Sequence, residues 1–132
     1  MPTDRIVTDD APRTDNPYSQ ARRAGDTLYV SSYGPVDPET GDEVDGGIEA
    51  RTRQVLDNLA AVVDAAGGDG LHDVVKVTVY LTDLTEYDRV NEAYGAAFAG
   101  DPPARVCVEV SRLPGDVDVE MDAVASLGED QG

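Results

Sequence analysis

Apolar and polar positions alternate with period two in two runs near the end of the chain. Val106, Val108 and Val110 alternate with Arg105, Cys107 and Glu109. Val117, Val119, Met121 and Ala123 alternate with Asp118, Glu120 and Asp122. Such alternation marks strands with one buried face. The segment between them carries Pro114-Gly115, a turn signal. The two runs therefore read as an antiparallel hairpin. Pairing Val110 with Val117, or shifting that register by two residues, places Arg105, Cys107 and Glu120 on one face within side-chain reach.

Upstream, the pattern supplies the other elements. Arg5 to Thr8 is a candidate edge strand, and Asn16 to Gln20 a loop. Thr27 to Ser32 reads as a strand after the turn pair Gly25-Asp26. Residues 33–47 hold several turn signals and read as a long loop. The period then changes: Ile48, Val55, Leu59, Val62, Val63 and Ala66 recur at helical spacing, and Gly67-Gly68 ends that helix. Val74 to Leu81 is a β-branched strand. Tyr87, Val90, Asn91, Tyr94, Ala97 and Phe98 share one face of a second helix, which Gly100 to Pro103 stops. The order β-β-α-β-α-β-β predicts one α+β domain over 1–132, with loose ends at 1–15 and 126–132. Two helices cover only one face of such a sheet. The other, carrying Arg105, Cys107, Thr78 and Tyr80, is expected to pack against further copies of the chain.

Composition narrows the partners. The net charge is −17, from 27 acidic and 10 basic residues, and Lys76 is the single lysine. Nucleic acid and anionic membranes would repel such a chain. The acids are spread along the sequence, as on an ordinary acidic cytosolic protein or on a solvated surface adapted to high salt, and so large a charge with a single lysine favours the second. No apolar run reaches membrane-spanning length, and the N-terminus has no apolar leader region, so a soluble cytoplasmic protein is expected. One cysteine allows no intrachain disulfide.

The candidate chemistry gathers on the last two strands. The planar fork of Arg105 suits a carboxylate or phosphate ligand, or else a salt bridge to Asp122 or Glu120. Glu120 sits among valines, where partial burial raises a carboxyl's pKa and equips it to move protons; otherwise it is one surface acid of many. Cys107 has no histidine placed to activate it and reads as a packed small residue. Scarcity of His and Cys argues against zinc or copper. Tyr18 and Ser31 lie at a loop and a strand end, and Asn91 puts an amide on an apolar helix face, where it must find partners.

Pro103-Ala104-Arg105-Val106-Cys107-Val108-Glu109-Val110, Leu113-Pro114 and Val119-Glu120-Met121 resemble the signature of the RidA (YjgF/YER057c/UK114) family. The resemblance extends over Asn16 to Ala21, Gln54 to Leu59, Val74 to Leu84 and Val90 to Tyr94, about residues 16–126 in all. It implies a chorismate-mutase-like α+β fold, a mixed sheet with two helices on one face, and a homotrimer with clefts between subunits. It also implies cofactor-free hydrolysis of enamines and imines of the 2-aminoacrylate type to 2-keto acids and ammonia, as in 2-iminobutanoate/2-iminopropanoate deaminases. By that resemblance Arg105 grips the substrate carboxylate and Glu120 handles water and protons. Tyr18, Ser31, Asn91 and Cys107 line the cleft, Cys107 mainly through its backbone. The family often has Ser-Gly-Gln where this chain has Ser31-Ser32-Tyr33. Ser32 keeps the backbone N–H that faces the substrate but adds bulk, and Tyr33 stands where it can reshape the cleft. The competing expectation is a trimer that binds small carboxylates, or acts as a stress-response chaperone, without turnover.

Overall fold

The structure is a computed structural model that describes residues 4–98 and 100–128. Six strands form one mixed sheet in the order β1-β2-β3-β6-β4-β5. In sequence these are β1 (Asp4–Ile6), β2 (Ala21–Ala24), β3 (Thr27–Tyr33), β4 (Val74–Leu81), β5 (Ala104–Glu109) and β6 (Val119–Ser126). Helix α1 (Gly47–Ala65) follows β3, and α2 (Tyr87–Ala97) joins β4 to β5.

The core lies between the helices and one sheet face. Leu28 and Val30 of β3, Val77, Val79 and Leu81 of β4, and Val119, Met121, Ala123 and Ala125 of β6 meet Val55, Leu56, Leu59, Val62 and Val63 of α1. The period-two pattern of β6 and the helical spacing of α1 are thus two sides of one apolar layer. Val90 and Tyr94 add the contribution of α2. Asn58, buried within α1, donates to the carbonyls of Gly34 at 3.2 Å and Val36 at 2.9 Å, pinning the long loop after β3.

The expected hairpin does not form. β5 pairs parallel with β4, Arg105 lying beside Val77 and Cys107 beside Val79. β6 enters on the other side of β4, antiparallel, and also pairs with β3. The reason is topological. Helix α2 is a crossover, and a strand–helix–strand crossover lays its two strands parallel. β6 then takes the central position, where its whole apolar face is covered. β5, with Arg105 and Glu109 on its helix-facing side, takes the edge, where charge is tolerated.

Val77 and Val79 face the helices, so Arg105 and Cys107 face the helices too, not the open side of the sheet. The valines of β5 are the outward residues: Val106 is 46% exposed and Val108 38%. Of the four residues expected on the open face, Thr78 and Tyr80 are there; Arg105 and Cys107 are not. Near both ends the chain is tied to the sheet, at the start through a short edge strand in the region expected for one. Asp4–Ile6 pairs with β2, and the Gln20 side chain takes the Thr8 N–H and donates to the Thr8 carbonyl. Ser126 closes β6, and the Leu127 N–H donates to the Asp26 carbonyl at 2.7 Å. Residues 1–3 and 129–132 of the expected loose ends lie outside the described residues.

Candidate active site

Arg105 begins the first of two polar clusters. Its guanidinium carbon sits 4.8 Å from the ring centre of Tyr94 and 5.5 Å from that of Tyr87. Its Nη2 donates to the Tyr87 hydroxyl oxygen at 3.0 Å. Tyr87, Asn91 and Tyr94 fall at i, i+4 and i+7, one stripe of α2. Cation–π contacts of this kind are worth about 0.5–2 kcal/mol each, enough to seat a guanidinium without neutralising it. Among the described residues no carboxylate forms an ion pair with Arg105. The alternative of a salt bridge to Glu120 or Asp122 is ruled out within the chain, since those carboxylates lie on the opposite sheet face. In so acidic a chain, an uncommitted arginine beside two rings is a ready anion seat.

The neighbours fit that setting. Tyr94 is buried, and desolvation pushes its phenol up to about 12 although Arg105 pulls the other way. Asn91 has its Oδ1 buried with no hydrogen-bond partner. Cys107 is half-buried against the core, and burial raises its thiol pKa, partly offset by Arg105. Glu120, across the sheet, takes no part in that shift. An undissociated thiol with this packing is no nucleophile.

Glu120 anchors the second cluster on the open face. It pairs with Tyr80 across β4 and β6. Burial raises its carboxyl pKa, and a hydrogen bond with Ser32 draws it back in part. Beside it the Tyr80 hydroxyl donates to Asp122 Oδ2 at 2.9 Å, and this bond raises the phenol pKa. Ser32 reaches Glu120 because the register of β3 against β6 shifts between Val30 and Tyr33. Ser31, in the same irregular stretch, donates from Oγ to the Ser19 carbonyl at 2.6 Å and from its N–H to Gln20. It thereby ties the loop carrying Tyr18, which is 54% exposed, to the edge of this face. Tyr33 packs its ring into the core, and burial pushes its phenol up to about 12.

A family described as Endoribonuclease L-PSP matches residues 8–127. The YjgF gene product of Escherichia coli shares the fold with a TM-score of 0.88 at 41% identity, over 93% of this chain and 98% of that one. The chain belongs to the RidA family. A RutC family protein of Pyrococcus horikoshii is 50% identical over 120 residues, 91% of this chain and 94% of the relative. The 2-iminobutanoate/2-iminopropanoate deaminase of Escherichia coli K12 is 44% identical over 123 residues, again 91% and 94%.

Within this RidA-family chain the residues singled out from sequence divide into two groups. Arg105 and Cys107 lie on the helix-facing side of the β5 edge, and Asn91 lies on the stripe of α2 whose Tyr87 and Tyr94 touch Arg105. Glu120 and Ser32 meet on the open face, and Ser31 ties the loop carrying Tyr18 to β3. Tyr87 and Tyr94, which touch Arg105 directly, were read only as parts of a helix face. The signal that marks them is their spacing from Asn91 on one helical stripe, combined with the crossover that brings this stripe to β5.

Proposed function

We propose that the protein hydrolyses reactive enamines and imines of the 2-aminoacrylate type to 2-keto acids and ammonia. It does so without a cofactor, in the cytoplasm, at clefts between the subunits of a homotrimer. The observation that carries this reading is the pairing of an uncommitted Arg105 with a Glu120 of raised pKa, on opposite faces of one sheet. One copy therefore offers a carboxylate anchor at its β5 edge, and another offers a proton-handling carboxyl on its open face. That face supports the assembly: Tyr29 is 55% exposed and lies on the same side as the outward valines of β5. The deaminase name of the Escherichia coli relative supports the chemistry.

The reaction follows from these groups. Arg105 takes the substrate carboxylate through two of its N–H groups, which fixes the adjacent carbon against a water molecule. The enamine tautomerises to the imine by gaining a proton at carbon and losing one from nitrogen. Water adds to the imine carbon, and the resulting carbinolamine expels ammonia as the C=O bond forms. Glu120 accepts the water's proton and returns one to the leaving nitrogen, a role suited to a carboxyl whose pKa is raised toward neutrality. A non-catalytic carboxylate binder would need Arg105 but no proton carrier. The endoribonuclease description of the family fits this chain poorly, because a net charge of −17 opposes the approach of RNA.

The test generates 2-aminoacrylate in place with a serine/threonine dehydratase in molar KCl. Added protein is expected to speed keto-acid release. Arg105→Ala should lose roughly a hundredfold or more of that acceleration. Glu120→Gln should keep ligand binding and lose turnover. Release no faster with the protein than without it, at any salt concentration, contradicts the reading.

A further inference from the structure

Tyr87 opens α2 and stands beside Arg105, yet the reaction described above gives it no part. Its place is set by two contacts. Glu109 Oε1 accepts the Leu84 N–H at 2.8 Å, tying the turn before α2 to β5. Arg105 Nη2 then donates to the Tyr87 oxygen at 3.0 Å. A phenol carries one proton and can also accept. Here the oxygen accepts from the arginine, so the proton points away from the guanidinium, and no described group receives it. The residue is 39% exposed, and its hydroxyl's bond to Arg105 lies at the surface rather than in the core. Tyr94 differs: its ring also carries the guanidinium, but its hydroxyl is buried.

We propose that Tyr87 is a second anchor for the ligand's carboxylate, its hydroxyl donating to an oxygen that Arg105 also grips. The inference rests on the reading of Arg105 as a carboxylate anchor and adds to it a residue and a selectivity. With Arg105 alone, a neutral carboxamide can satisfy the site through its carbonyl oxygen. With the Tyr87 O–H facing the second position, an amide NH₂ there meets a donor, and an unpaired donor is costly. Tyr87 thus favours an acid over its amide. A phenylalanine at this place would keep the ring beside Arg105 and lose that preference.

The experiment measures binding of 2-oxobutanoate and of its amide, 2-oxobutanamide, by titration NMR on the assembled protein. Circular dichroism checks the fold of each variant. Tyr87→Phe is expected to weaken 2-oxobutanoate binding roughly tenfold, as fits loss of one hydrogen bond to a charged group, and to bind the amide at least as tightly as wild type does. The loss should persist when Tyr87→Phe is added to Arg105→Lys. Equal affinity of wild type and Tyr87→Phe overturns the proposal. So does a loss that vanishes in the Arg105→Lys background, which would make Tyr87 only a brace for the arginine. A wild type that binds neither ligand overturns both this proposal and the anchor reading. A wild type that binds, shows the Tyr87 effect, and fails to speed keto-acid release in the dehydratase assay overturns the deaminase reading alone.

Discussion

Glu120 is where the fold and the proposed chemistry pull against each other. Its carboxyl pKa is raised because half-burial disfavours the charged form. In the unfolded chain this group ionises near pH 4.3. Above that pH the folded state carries a cost for ionising the buried carboxyl, and below it the cost is absent. Glu120→Gln is therefore expected to be more stable than wild type at pH 7, with the two converging as pH falls toward 4. Urea unfolding at both pH values measures this, and a variant less stable at pH 7 contradicts the account. Such an ionisable group, stabilising nothing yet placed beside Ser32 and Tyr80, has the character of a functional residue. Its partial burial was legible from its place among Val117, Val119 and Met121. The side on which Arg105 would lie was not. Period two says which residues share a face, but not which face is core. β5 turns its valines outward and its arginine toward tyrosines.

At the scale of elements, the strand–helix–strand unit β4-α2-β5 decides the site. The strand over 74–81 and both helices could be read from hydrophobic spacing alone. The pairing of β5 could not, because Pro114-Gly115 argues locally for a hairpin while the parallel partner depends on a crossover. The order strand–helix–strand across residues 74–109 was the competing signal. β2 was missed for a related reason: Ala21-Arg22-Arg23-Ala24 has no β-branched residue, and its pairing with both neighbours supplies what its composition does not. Central and edge strands should respond differently to substitution. Met121→Ala, at a fully buried position of central strand β6, is expected to cost about 2–5 kcal/mol by calorimetry or denaturant titration. Val106→Arg, on the open face of edge strand β5, should leave monomer stability within about 0.5 kcal/mol. It should nonetheless break the proposed assembly, shifting sedimentation toward monomer. An unchanged sedimentation coefficient would show that this face is not the interface.

At the scale of the whole molecule, charge and assembly set the working conditions. A net charge of −17 on 132 residues produces self-repulsion that salt screens. The melting temperature is expected to rise by several degrees between millimolar and molar KCl, and a flat response would remove the high-salt reading. Assembly carries the larger claim, since the sheet itself separates Arg105 from Glu120 in every copy. On the proposed reading, an active cleft needs the arginine of one chain and the glutamate of another. The direct measurement mixes two inactive variants, Arg105→Ala and Glu120→Gln, unfolds and refolds them together, and assays keto-acid release from 2-aminoacrylate. In mixed assemblies, some clefts pair an intact Arg105 with an intact Glu120, and activity should return to about a quarter of wild type by random association. If both groups came from one chain, no mixture would restore activity, and a co-refolded sample as inactive as its parents would contradict the account.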